Sequence, residues 1–162
     1  MTDSPENCGL EPELFAQICA DNQKIPFYHY LGMKTTKLGE GFTNVVMEST
    51  NQLTNHIGTF HGGALLSLAD AAMGMSIRTL GFRAVLLDMG GSFFLPIQRG
   101  DVVTAKAKIV HRGRRHFAGE CELLNGNSEL VVKVRGIYNA REQVMRSEDG
   151  LMWVQFTQAT KE

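Results

Sequence analysis

The sequence has almost no net charge. Its 16 basic and 17 acidic side chains leave −1 over 162 residues with histidine neutral, so no overall basic field draws in nucleic acid or an anionic membrane. An anionic ligand must therefore meet a local patch. Long apolar runs are also missing: nowhere do about 18 apolar residues follow one another, the length that a membrane-spanning helix needs. The first ten residues, MTDSPENCGL, carry neither a basic n-region nor an apolar h-region. These features predict a cytoplasmic protein without a membrane partner. Cys8, Cys19 and Cys121 are odd in number and far apart, which predicts free reduced thiols rather than a disulfide, zinc or redox motif. His29, His56, His111 and His116 show no ligand spacing, so no metal is expected. No repeat, low-complexity run or interdomain linker interrupts the chain, and no helix-turn-helix signal or basic arm argues for DNA binding. One domain spanning residues 1–162 is the expectation, and a hydrophobic fraction of 43% supplies an ordinary core.

The N-terminal part, residues 1–40, holds a short amphipathic helix over Pro12 to Asn22, with Leu14, Phe15, Ile18 and Cys19 on one face. The aromatic stretch IPFYHYLGM, Ile25 to Met33, reads as a segment pinned against the domain. Gly39 and Gly41 flank a turn into a first strand near Thr43 to Ser49. The second half is more regular. In DVVTAKAKIVHR, Val103, Ala105, Ala107 and Ile109 alternate with Thr104, Lys106 and Lys108, the period of a strand with one buried and one wet face. HFAGECELL and ELVVKVRGIY repeat that alternation around the Asn125-Gly126 turn signal. AVLLDMGGSFFLP is nearly continuous in apolar residues, which predicts the most buried strand, with a bulge or close backbone approach at Gly90-Gly91. The tail, residues 141–162, contains an apolar run from Leu151 that should dock.

A single long helix is expected from about His61 to Leu80. Its Ala, Leu, Met and Ile residues cover nearly the whole circumference, so it should be buried all round. With five or more antiparallel strands available, the economical answer is an α+β architecture, a curved antiparallel sheet wrapped around one long central helix, known as the hotdog fold. Its core would span residues 41–140.

The order Asn55, Gly58, His61-Gly62-Gly63 and Asp70 resembles the pattern of the PaaI-like branch of hotdog thioesterases, relatives of hydroxybenzoyl-coenzyme A thioesterase. The likeness extends over roughly Gly41 to Tyr138, through the Asp88-Met89 step, the FLP before Gly100-Asp101, and Gly113-Arg114. It implies hydrolysis of acyl-coenzyme A thioesters. It assigns Asp70 as general base or nucleophile, the Gly62 backbone N–H as oxyanion donor, Asn55 as a ligand of water or thioester, and His61 as an orienting group. Gly63, Leu86 and Met89 would lie along the substrate, and Arg112, Arg114 and Arg115 would meet the coenzyme A phosphates. No cofactor is implied beyond the coenzyme A of the substrate. Asp70 stands nine residues beyond His61, about 13 Å along the helix and half a turn around it. Two antiparallel helices from two subunits would bring such groups together, so a homodimer is implied, with a dimer of dimers as an extension.

Alternatives accompany several assignments. Asp70 in an apolar helix is either a functional acid or a structural one bonded to backbone. His61 is a capping residue or a catalytic one, and the arginines are a solvated turn or a phosphate clamp. Where similar thioesterases carry Ser or Thr two residues ahead of the Asp-Met step, this chain has Leu86, which should raise a nearby carboxylate's pKa and remove a water ligand. A non-catalytic acyl-coenzyme A binder is thus the alternative, and hydratase chemistry lacks its usual Asp-to-His spacing. Phe93, Phe94, Met73 and Met89 line an acyl pocket or are core, and the acyl group is open.

Overall fold

Prolines open the N-terminal helices and a glycine closes the second. A computed structural model describes residues 4–142, with the backbone alone for Glu142; the tail from Leu151 lies outside the described residues. After the short β1 (Glu6–Cys8), Pro12 starts α1 (Pro12–Asn22) and Pro26 starts α2 (Pro26–Leu31), where a missing N–H costs nothing. Gly32 ends α2 at φ 68°, the left-handed region that only glycine enters freely. The aromatic stretch is thus a helix of one and a half turns. Leu31 is buried and Tyr28 packs on the core, while Phe27 and Tyr30 face outward.

Strands β2 (Lys34–Gly39) and β3 (Phe42–Glu48) form a hairpin, followed by a 3-10 turn at Asn51–Leu53 and the long helix α3 (Gly62–Arg78). Then come β4 (Phe82–Phe93), β5 (Val102–Arg112), β6 (His116–Leu124) and β7 (Leu130–Glu142). They build one seven-stranded sheet in the order β1-β2-β3-β5-β6-β7-β4. All pairings are antiparallel except β1 with β2, which is parallel and makes the sheet mixed. This is the expected hotdog arrangement with two further strands. β1 and β2 carry too few apolar residues to announce themselves; β2 takes its ladder from β3 rather than from its own pattern.

Helix α3 packs across the sheet with Leu65, Leu68, Ala69, Ala72, Met73 and Ile77 buried. Each large aliphatic side chain removed from water stabilises by about 1.5–3 kcal/mol. Met73 is core rather than pocket lining: Gly119 and Gly136 leave room for it, and a Cβ at either would stand 3.1 Å from a Met73 atom. At the helix C-terminus Thr79 Oγ1 accepts from the Gly41 amide at 2.9 Å and donates to the Ser76 carbonyl, fastening helix to hairpin. Arg78 donates to Asp21 at 2.8 Å and Asn22 at 2.9 Å, which holds α1 against this end.

Two expectations are corrected. α3 is not enclosed by its own chain, because Gly63, Ser67, Asp70 and Gly74, at helical spacing, form a stripe that is only partly covered or exposed. β4 is not the most buried strand. It is the sheet edge, with Val85 51% and Leu87 56% exposed. Its apolar run reflects two faces and an open edge that this chain alone does not cover. The irregularity falls between Leu86 and Asp88, whereas at Gly91 the backbone approaches α3 so closely that a Cβ would lie 3.2 Å from Leu66.

Candidate active site

The loop before α3 is built around Asn55. Its Oδ1 accepts from the amides of Ile57 and Thr59, and its Nδ2 donates to Thr59 Oγ1 at 2.8 Å. Gly58, at φ 82°, completes the turn. The loop is fastened at both ends, by the Phe60 amide to the Ile97 carbonyl and by the His61 amide to the Leu53 carbonyl. Asn55 therefore shapes the loop, with one amide proton left over after the Thr59 bond.

His61 caps α3: its Nδ1 accepts from the Gly63 amide at 2.9 Å, and its carbonyl accepts from Ala64 and Leu65. The amide of Gly63 is thereby occupied. Gly62, the first helical residue, has no intrahelical acceptor for its N–H and sits at the positive end of the helix dipole. The Phe93 ring stands beside it, 3.4 Å from where a Gly62 Cβ would lie. The approach to this amide is thus polar at the helix end and aromatic at the side.

Asp70 lies eight residues further along α3, about 12 Å from Gly62 along the axis. Its Oδ1 accepts a hydrogen bond from the Tyr138 hydroxyl at 2.9 Å. Burial pushes the Asp70 carboxyl above its usual range, and the phenol bond opposes that rise in part. Leu86 is the cross-strand partner of Tyr138 and packs toward the core, as does Met89. An apolar group thus stands where a hydroxyl was the alternative. Tyr138 is the contact of Asp70 that the sequence reading missed. Its signal was available: Val132, Val134, Gly136 and Tyr138 share the inward face of β7, and an inward phenol needs a polar partner.

The arginines lie at the opposite end of α3. Arg112 stacks its guanidinium 4.7 Å over the Phe82 ring, which starts β4 directly after the helix, and Phe82 in turn meets Phe117 edge-on. Arg114 and Arg115 are exposed at the β5–β6 turn. That turn requires Gly113, since a Cβ there would stand 2.8 Å from the His116 carbonyl. Within one chain the arginines and the Gly62 amide are therefore apart. Phe93 and Phe94 are half-exposed at the far end of β4. No group of three or more His, Cys, Asp or Glu suited to a metal is found among the described residues, and no helix there is long and apolar enough to cross a membrane.

The profile of the Thioesterase superfamily matches residues 57–132. The acyl-coenzyme A thioesterase PaaI of Escherichia coli K12 is 34% identical over 106 residues, covering 65% of this chain and 76% of that protein. The solved structure of the E. coli PaaI protein from the phenylacetic acid degradation operon superposes with a TM-score of 0.78 at 28% identity, over 83% of this chain and 98% of that one. A hypothetical thioesterase from Streptococcus pneumoniae TIGR4, solved with coenzyme A, superposes with a TM-score of 0.67 at 26% identity, over 68% and 90%. The stretch that the profile matches contains the capped helix start, Asp70, strands β4 to β6 and the first residues of β7. The chain belongs to the thioesterase superfamily, in its PaaI-like branch with the hotdog fold.

Proposed function

We propose that this protein hydrolyses acyl-coenzyme A thioesters as a homodimer, with each site shared between two subunits. The observation that carries the reading is the separation within one chain of a free helix-end amide at Gly62 and a half-buried carboxylate at Asp70, about 12 Å apart on one helix. One substrate carbonyl cannot touch both. Antiparallel packing of α3 on its copy brings Gly62 to Asp70 of the partner subunit, and the partly covered stripe of Gly63, Ser67, Asp70 and Gly74 is the face available for it. The apolar open edge of β4 adds surface for the same association.

In this reading the Gly62 N–H holds the acyl oxygen as it becomes an oxyanion. Asp70 of the partner subunit takes a proton from water, whose oxygen bonds to the acyl carbon; the C–S bond then breaks and the coenzyme A thiolate leaves, to be protonated. In the nucleophilic variant the carboxylate itself attacks the acyl carbon, the C–S bond breaks to release the coenzyme A thiolate, and water opens the resulting anhydride to free acid and carboxylate. Asn55 and His61 keep the loop and helix start in shape, and Asn55 has one proton to offer the water or the carbonyl. Arg112, Arg114 and Arg115 lie toward the helix C-terminus, and Gly63, Leu86 and Met89 flank the route of the acyl chain. The protein needs no cofactor of its own. The likeness to a thioesterase solved with coenzyme A supports the substrate class.

The test is release of free thiol from a panel of aryl and fatty acyl-coenzyme A thioesters by wild type and Asp70→Asn. Turnover that falls by at least about two orders of magnitude in the variant is expected. The bond from Tyr138 to Asp70 and the apolar Leu86 also suit an acyl-coenzyme A binder in which the acid is structural. Saturable binding by both proteins, without turnover of any thioester, would establish that second reading instead.

A further inference from the structure

We infer that Tyr138 is the positioning residue for Asp70: its phenol holds one carboxylate oxygen from behind, within the same subunit, and leaves the other directed toward the shared site. This rests on the thioesterase reading above and deepens it. The hydroxyl donates to Oδ1 at 2.9 Å, while Oδ2 accepts no hydrogen bond among the described residues. Tyr138 itself is only 2% exposed, so bulk water competes little for its hydroxyl. The ring is locked in a built housing. Gly136, two residues back on the same face of β7, has no side chain because a Cβ would lie 2.9 Å from Tyr138 Cε2 and 3.1 Å from Met73 Cε. Leu86 stands in register with Tyr138 across the β4–β7 ladder and packs against the core.

The arrangement solves a problem that Leu86 creates. With no hydroxyl on β4 at that point, a carboxylate set in an apolar helix would have no fixed donor, would rotate about χ2 and would sit protonated more of the time. β7 supplies the donor instead. The ionisable groups turned toward this carboxylate are Tyr138 of β7 and Tyr28 of α2, with Cys121 of β6 behind the phenol; inward positions of β3 and β5 are apolar or Thr. Burial pushes the Cys121 thiol up to about 12 and both phenols above their ordinary range, so none of them ionises where the enzyme works. Of these groups only Asp70 can give a rising acidic limb in the pH–rate profile.

The experiment compares pH–kcat profiles of wild type, Tyr138→Phe and Asp70→Asn on the best thioester found. Phe fills the same housing and removes only the donor. Expected are a kcat lowered about tenfold with KM little changed, and an acidic limb moved to higher pH, because the lost bond favoured the charged carboxylate. A second protein, with a fluorinated and more acidic tyrosine at position 138, keeps the shape and the donor and should move the limb to lower pH. It keeps the test open if Tyr138→Phe folds poorly. A limb that stays in place in both, while Asp70→Asn is inactive, overturns the positioning role and leaves the thioesterase reading standing. Full activity in Asp70→Asn overturns that reading itself.

Discussion

Replacing Gly62 with proline removes the N–H from the site and puts the ring's Cδ on that nitrogen, while leaving the helix start intact. Proline at the first position of a helix is favourable, because that N–H has no intrahelical acceptor and the ring's φ is already helical. The residue before a proline must avoid the α region, and His61 does so at φ −67° and ψ 129°. The new Cβ would stand 3.4 Å from the Phe93 ring, an ordinary van der Waals contact. The fold should therefore survive, with a melting temperature near that of wild type or slightly above it, since proline also restricts the unfolded chain. Catalysis should not survive in the same way. Loss of one oxyanion donor costs about 100- to 1,000-fold in kcat, or about 2.7–4 kcal/mol, and the neighbouring amide cannot substitute because His61 Nδ1 already occupies the Gly63 N–H. The assay is thiol release under saturating substrate, with Gly62→Ala as the control that adds the Cβ and keeps the amide. Gly62→Ala should stay within about tenfold of wild type. A folded Gly62→Pro enzyme with wild-type kcat would refute the oxyanion assignment, and equal losses in both variants would place the effect in the Phe93 contact instead.

Two further outcomes follow from the same site. The folded Asp70 carboxyl has a raised pKa, so the stability linked to its protonated form is complete below the usual carboxylate range and is lost as pH rises through the folded value. Asp70→Asn carries no charge to bury, so near neutral pH it should melt above wild type, and the gap should close on acidification; an Asn variant that melts below wild type at neutral pH would show the ionised acid to be structural. Gly74 lies on the partly covered stripe of α3, where an added Cβ meets nothing within 4 Å in the chain. Gly74→Arg should therefore keep a folded subunit, shift a dimer to monomer in light scattering, and lose activity together with the dimer; a fully active monomer would exclude the shared site.

Much of this protein could be read along the chain, because its strongest signals are local. The alternation in β5, β6 and β7, the apolar circumference of α3 and the glycines after His61 each depend on a period or a neighbour a few residues away. They placed the helix within two residues of its observed ends and put Asp70 on it. Strands β1 and β2 were invisible for the complementary reason: β2 takes its pairing from β3 and β1 from β2, not from their own composition. The apolar run of β4 misled because a long hydrophobic strand is ambiguous between a buried centre and an uncovered edge, and only sheet order decides between them.

What the sequence by itself determined, then, is that an acid sits on a helix apolar enough to need a sheet around it, behind a His-Gly-Gly start that presents a free amide. Tertiary structure alone decided what holds that acid and what surrounds it. Register across β4 and β7 sets Leu86 opposite Tyr138, the absence of side chains at Gly119 and Gly136 lets Met73 and the phenol fill the space between helix and sheet, and Arg112 turns onto Phe82 at the helix's other end. These contacts join residues tens of positions apart. Their geometry depends on how strands are ordered and registered, which local periodicity does not encode.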